Sequence, residues 1–314
     1  MARVLVTEKI ADKGLDLLRD AGHDVDVQIG LDESELLSAI AGAHAIIIRS
    51  ATTVTADLLA AGTDLKIVGR AGIGLDNVDV GAATEHNVLV ANAPFSNAVT
   101  AAEHTMAMLL AQARNIAHAH AALVDGRWER SKWNGVELAE KTLGIIGLGR
   151  IGGLVATRAK AFDMNIIAFD PYVAPERAAE MGIELVDLGS LVSTSDFVTL
   201  HLARTPDTMN LINADLLAKA KPGLRIVNVA RGGIIDEAAL AGAISNGVVA
   251  GAAIDVFAEE PTTVSPLFSL PEVTVTPHLG ASTVEAQLKA GVQVAEQVVL
   301  ALAGEPVPYA VNDK

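Results

Sequence analysis

The strongest constraint on this chain is an alternation that runs its whole length, in which short β-branched runs are separated by amphipathic, helix-like stretches. In the first hundred residues the runs are RVLVTE (3–8), DVDVQI (24–29), AIIIRS (45–50), LKIVGR (65–70) and VLVANA (88–93), with segments such as KIADKGLDLLRDAG (9–22) between them. From residue 142 the pattern restarts with LGIIG (143–147), NIIAFD (165–170), FVTLHL (197–202), RIVNVAR (225–231), VAGAAIDVF (249–257) and VTVTPH (273–278). Strands alternating with helices pair in parallel through right-handed crossovers, so two such series predict an α/β protein of two doubly wound parallel-sheet domains. Residues 97–124 read as one long helix that carries the chain from the first domain to the second. The last segment reads as another, with Ser282 and Glu285 as a capping box and Gly304 as its stop. That final helix is expected to return to the first domain and make it discontinuous. The predicted division is therefore 1–97 plus 285–314 for one domain and 98–284 for the other.

Composition fits this reading and removes several function classes. The 314 residues are about twice an average domain of ~150 residues. Aromatic residues are only 3% of the chain, so Ala, Val, Leu and Ile must fill the core, as close packing of helices on buried parallel strands allows. The balance of 23 basic and 38 acidic residues leaves a net charge of −15, a field that repels nucleic acid and anionic membranes. An anionic small substrate would need local arginines against that field. The chain has no cysteine, which excludes disulfides, thiolate nucleophiles and zinc–thiolate sites. His118 and His120 lie two apart on a helix and cannot share a metal, so no metal is expected. MARVLVTE at the start has no signal-peptide character, and no apolar run is long enough to span a bilayer. The expected compartment is the cytoplasm.

Residues 147–152 read GLGRIG, directly after one strand-like run and at the head of a helix-like one. Here Gly147 would permit the tight turn, Gly149 a close backbone approach to a pyrophosphate, and Gly152 close packing of helix on strand. The helix start then offers amide donors to the phosphates. Asp170 ends the next run, where a carboxylate accepts a ribose 2′-hydroxyl and repels a 2′-phosphate, so the expected cofactor is NAD. A second glycine turn, GIGLDN (72–77), lacks the third glycine, and the run after it ends in Asn92. Gly72 and Ile73 there are expected to meet substrate or nicotinamide through backbone amides.

Three successive runs of the second series end in reactive groups, at Arg231, at Asp255 with the following Glu260, and at His278. In an open α/β sheet the ligand lies beyond the carboxyl ends of the strands, which places all three groups around one crevice. Removing a hydride from an alcohol requires a base at the hydroxyl, and imidazole, with a reference pKa near ~6.5, suits that task at neutral pH. A carboxylate beside the imidazole orients it, which is the expected role of Glu260. A guanidinium can hold an α-carboxylate by two hydrogen bonds, which suits Arg231, although it could instead neutralise a phosphate. Glu259 is expected to be solvated. His104 is expected near the crevice and His201 beside the cofactor, while His23, His44, His86, His118 and His120 read as surface residues.

The stretches RSATTV (49–54), GRAGIGLDNVD (69–79), NAPFSNAVTAAEH (92–104), KTLGIIGLGRIG (141–152), FDPY (169–172), NVARGGIIDEAAL (228–240), AAIDVFAEEP (252–261) and TPHLGAST (276–283) together resemble the D-2-hydroxyacid dehydrogenase family over essentially the whole chain. Within it the similarity is greatest to members that act on phosphoglycerate. The resemblance implies a substrate domain built from both chain ends around a Rossmann-like NAD domain, with catalytic Arg231, Glu260 and His278. It implies cofactor contacts at Ile73, Arg150, Ile151, Asp170, Leu202, Val229, Ala230, Asp255 and the turn from His278 through Gly280 to Ala281. Substrate contacts are implied at Arg49 and, for a second charge, at Arg130 in GRWERSKW (126–133), where an ordinary surface arginine is the plain alternative. The implied reaction is oxidation of 3-phospho-D-glycerate to 3-phosphohydroxypyruvate, which opens serine biosynthesis, in a homodimer or homotetramer formed through the NAD domain. The chain ends at AVNDK without the serine-sensing domains of longer members, so catalysis is expected and serine inhibition is in doubt. Two further readings stand beside this one, a reductase of glyoxylate, hydroxypyruvate or another 2-keto acid, and an NAD-sensing binding protein.

Overall fold

The structure is a computed structural model that describes residues 1–313. The chain forms two compact units, Met1–Asn97 with Ala281–Lys314, and Ala98–Gly280. Each is built on a wholly parallel sheet.

The first unit contains β1 (Arg3–Val6), β2 (Asp24–Val27), β3 (Ala45–Ile48), β4 (Ile67–Arg70) and β5 (Leu89–Ala91), in the order β2-β1-β3-β4-β5. Successive strand residues face opposite sides, so each strand feeds two cores. Val4, Val6, Ile47 and Ile67 pack on one face with Ala290, Val294 and Val298 of the C-terminal helix (Val284–Ala303). Leu5, Ile46, Ile48 and Val68 pack on the other with Leu36, Leu58 and Leu59. All four residues of β3 are fully buried, each worth roughly 1.5–3 kcal/mol for the larger aliphatic side chains. The C-terminal helix lies so close to β4 that a Cβ at Gly69 would come within 2.6 Å of Val294 Cγ2. This helix therefore completes the core of the unit in which the chain begins.

The second unit contains β6 (Thr142–Ile146), β7 (Asn165–Phe169), β8 (Glu184–Leu185), β9 (Phe197–Leu200), β10 (Leu224–Asn228), β11 (Val249–Ile254) and β12 (Val273–Val275). Their order is β12-β11-β10-β9-β6-β7-β8, so the direction of winding reverses between β6 and β9. Ligands of doubly wound sheets bind beyond the carboxyl ends of the strands at such a reversal. The helices Ala98–Ala113 and Arg150–Lys160 cover one face through Leu109, Met106, Val155 and Ala156. Leu191, Leu216, Leu240 and Ile244 cover the other.

Local details differ from the sequence reading in several places. The expected single helix over 97–124 is two, Ala98–Ala113 and Ile116–Val124, because Asn115 turns left-handed at φ 53° and its side-chain amide donates to the Asn134 carbonyl. The cap of the C-terminal helix is Thr283 rather than Ser282, its hydroxyl accepting from the Ala286 N–H, while Gly304 ends the helix at φ 76° as expected. The two-residue β8 was not foreseen. Among the described residues, no helix is long and apolar enough to cross a membrane.

Candidate active site

Beyond the carboxyl ends of β10, β11 and β12, three loops of the second unit touch one another through backbone. β10 runs on through Val229 and Ala230 to Arg231, and Gly232 follows. A Cβ at Gly232 would strike the Phe257 carbonyl, so this glycine lets the Arg231 loop lie directly on the loop after β11. That loop carries Glu260, whose Oε1 accepts from the Phe257 N–H at 2.8 Å. The turn after β12 rests in turn on β10, since a Cβ at Gly280 would come within 2.8 Å of Val229 Cγ1. The three strand ends named by the sequence are thus brought together. Arg231 is half-buried, with its Nη1 donating to the Ala230 carbonyl and its own carbonyl accepting from the Asn228 side-chain amide.

Glu260 Oε2 lies 2.5 Å from His278 Nδ1. Burial raises the Glu260 carboxyl, but hydrogen bonds from His278 and the Phe257 N–H outweigh it and hold the group below its ordinary range. An ionised Glu260 accepts and cannot donate, which fixes the proton on Nδ1 and leaves the Nε2 lone pair free when the ring is neutral. The His278 side chain is 45% exposed, and its Nε2 makes no hydrogen bond among the described residues. The ring therefore presents an oriented, accessible base.

Asp255 holds the turn that carries His278. Its backbone carbonyl accepts from the His278 N–H at 2.7 Å. Its Oδ1 accepts from the Thr276 hydroxyl at 2.5 Å and the Leu279 N–H at 2.7 Å, and its Oδ2 from the Gly280 N–H at 2.8 Å. His278 itself sits at φ 55°, a left-handed conformation that costs an L-residue roughly 1–2 kcal/mol and persists where neighbours over-determine it. The carboxylate, placed among cofactor contacts by the sequence reading, is fully buried, and its named partners are protein groups. Burial raises its carboxyl, yet hydrogen bonds from His104, Thr276 and the turn amides bring it below the usual range.

The glycine turn after β6 fits a dinucleotide. Gly147 adopts φ 95°, and a Cβ there would lie 2.5 Å from the His201 carbonyl across the winding reversal. A Cβ at Gly152 would strike the Gly147 carbonyl. Gly149 is different, because a Cβ there would meet nothing within 4 Å. Packing within the protein does not demand glycine at 149, whereas the close approach of a pyrophosphate would. The helix beginning at Arg150 has no acidic residue in its first turn, so its positive end is not neutralised from within the helix. Asp170 accepts from the N–H groups of Leu148 (2.8 Å), Tyr172 (2.9 Å) and Val173 (3.2 Å), which leaves one lone pair, on Oδ2, for a ribose hydroxyl. Leu202 follows His201 past β9, and burial pushes the His201 imidazole down to about 3, so that ring is neutral and does not serve as an acid.

Arg49, Gly72, Ile73 and Ala281 belong to the first unit. Arg49 follows β3 in a loop whose N–H groups at 49, 50, 51 and 52 all donate to the Glu8 carboxylate. With Lys9, Thr52 and Thr53, Arg49 lines a cleft of about 580 Å³ within that unit. The Ile73 carbonyl accepts from the Asn92 side-chain amide at 2.7 Å. Arg130 is exposed on a short 3-10 turn, Arg130–Lys132. Sequence reasoning passed over Arg70, whose guanidinium lies against Gly72; its place at the end of β4 was the available signal. It also placed His118 on the surface, whereas His118 bonds the Val273 carbonyl at 2.8 Å and stacks on Trp133.

A sequence profile described as D-isomer specific 2-hydroxyacid dehydrogenase, NAD binding domain, matches residues 106–280. A D-3-phosphoglycerate dehydrogenase of Mycobacterium leprae is 56% identical over 98% of this chain, which covers 58% of that protein. The chain thus spans little more than half the length of this curated relative. Among solved structures, a protein from Thermus thermophilus is similar with a TM-score of 0.92 and 33% identity, covering 98% of this chain and 99% of its own. A glyoxylate reductase from Paecilomyes thermophila is similar with a TM-score of 0.89 and 28% identity, covering 99% and 98%. The glycine turn, the paired imidazole and carboxylate and these likenesses lead to one statement, that the chain belongs to the D-isomer specific 2-hydroxyacid dehydrogenase family and carries its NAD-binding domain.

Proposed function

We propose that the chain catalyses the NAD-dependent oxidation of 3-phospho-D-glycerate to 3-phosphohydroxypyruvate. The observation that carries this reading is the His278–Glu260 pair, 2.5 Å apart, with the His278 side chain 45% exposed. Bound NAD supplies the hydride acceptor. Arg231 holds the substrate carboxylate, and His278 Nε2 takes the hydroxyl proton as the carbon–hydrogen bond breaks. The products are ketone, NADH and one proton on the imidazole, where Glu260 gives the imidazolium an ion-pair partner. Arg49 and Arg130 are candidate cations for a phosphorylated substrate, and a dimer or tetramer is the proposed assembly. The likeness to the Mycobacterium leprae enzyme supports the choice of substrate.

Steady-state rates across phosphorylated and unphosphorylated 2-hydroxy and 2-keto acids test the reading. It expects the highest kcat/KM for 3-phospho-D-glycerate or its keto product, with an advantage that falls in Arg49→Ala. Equal rates on unphosphorylated acids would favour the glyoxylate or hydroxypyruvate reductase. NAD binding without turnover of any acid would favour the sensor.

A further inference from the structure

A second imidazole faces the catalytic turn from behind. His104 projects from the helix Ala98–Ala113 and places Nε2 3.3 Å from Asp255 Oδ1 and 3.2 Å from Thr276 Oγ1. The Thr276 hydroxyl spends its one proton on Asp255 Oδ1 at 2.5 Å. Both oxygens therefore turn lone pairs toward His104, and only a protonated Nε2 satisfies them. His104 is thus a further donor to a fully buried carboxylate, beside the Thr276 hydroxyl and the Leu279 and Gly280 amides. That carboxylate and its own backbone carbonyl bind residues 276, 278, 279 and 280, the turn on which His278 is held at φ 55°.

We propose that His104 is a positioning residue for the reaction, which fixes Asp255 from the helix side and so holds the His278 imidazole at the angle that proton transfer needs. It touches neither substrate nor cofactor. Its effect passes through Asp255, Thr276 and the two turn amides, so it falls on the chemical step more than on binding. A leucine at 104 keeps the bulk and removes the donor, leaving Asp255 Oδ1 one partner short. A glutamine can place its amide Nε2 near the same spot and restore a donor without an imidazole. The inference rests on His278 being the proton acceptor proposed above.

The test compares the parent, His104→Leu and His104→Gln in 3-phospho-D-glycerate oxidation and, separately, in amide hydrogen exchange of Leu279 and Gly280 in the ligand-free protein. His104→Leu is expected to lower kcat about tenfold, the scale set by small misplacement of a catalytic group, with KM values within about twofold. Exchange at both amides should quicken, and His104→Gln should recover most of both losses. Parent-like kcat and exchange in His104→Leu, or equal damage in the two variants, would overturn the proposal. If the parent oxidises no 2-hydroxy acid, the functional reading falls while the exchange data still decide the role of His104. Should His104→Leu not fold, Thr276→Val removes another donor to the same oxygen and must move both readouts the same way. A silent Thr276→Val would reject the network.

Discussion

Two glycine turns leave the carboxyl ends of parallel strands in this molecule, GIGLDN after β4 and GLGRIG after β6, and each is latched by the residue that ends the neighbouring strand. The latches have opposite polarity. After β5, Asn92 donates its side-chain amide to the Ile73 carbonyl. After β7, Asp170 accepts the Leu148 N–H. The first turn continues as loop until a helix starts at Val80, capped by Asp79, whereas the second passes straight into the helix beginning at Arg150. A dinucleotide pyrophosphate needs the positive end of a helix directly after the turn, and of these two turns only the second has it. A glycine-rich turn after a strand is therefore not a cofactor site by itself. The helix that follows and the polarity of the latch separate the two.

The comparison can be broken at Gly149. Since a Cβ there meets no protein atom, Gly149→Val should fold, losing no more than the roughly 1 kcal/mol that a poor helix N-cap costs, while NAD affinity drops on the order of 100-fold, or about 2.7 kcal/mol. Calorimetric titration with NAD checks the affinity, and a parent-like Kd would show that no pyrophosphate approaches this backbone. The latches sharpen the contrast. Asp170→Ala should cut the preference for NAD over NADP by about tenfold in kcat/KM, because no carboxylate remains to repel a 2′-phosphate. Asn92→Ala should leave that preference alone and cost about 1–2 kcal/mol in urea unfolding, since the Ile73 carbonyl loses its donor. Reversed outcomes in this pair would assign the two turns wrongly.

A smaller effect is expected from the carboxylate beside His278. Glu260 lies below its ordinary range in the folded protein, so between that lowered value and the unfolded one the native state binds fewer protons. Its contribution to stability is complete above the unfolded carboxyl range and is lost as pH falls through the folded value. Glu260→Gln should accordingly flatten the loss of Tm on the acid side, read by calorimetry across a pH series. An unchanged acid slope would mean that the pair does not hold the carboxylate ionised.

Much of this was legible from the chain alone, for physical reasons that also mark the limit. The β-branched runs were readable because strands buried on both faces are apolar throughout, as AIII of β3 shows. That Arg231, Glu260 and His278 lie on neighbouring loops was readable because residues that follow parallel strands gather at the same end of the sheet. The break at Asn115 was hidden, since an alanine-rich stretch without glycine or proline reads as continuous and the bond that stabilises the break comes from Asn134, distant in sequence. Ser282 and Thr283 are adjacent hydroxyls, and only the backbone decides which one caps. The interior role of Asp255 was also hidden, because a strand-end carboxylate can face outward to a ligand or inward to its own turn, and that choice depends on a left-handed histidine two residues past Thr276.

If His278 does the proton chemistry while the glycine turn holds the cofactor, the two roles separate when NAD binding and NADH formation are measured side by side in His278→Ala. The variant is expected to keep an NAD Kd within about twofold of the parent and to lose kcat by a factor of roughly 10² to 10⁴, the range for a lost general base. Parent-like NADH formation, or turnover and NAD binding lost together, would contradict that separation.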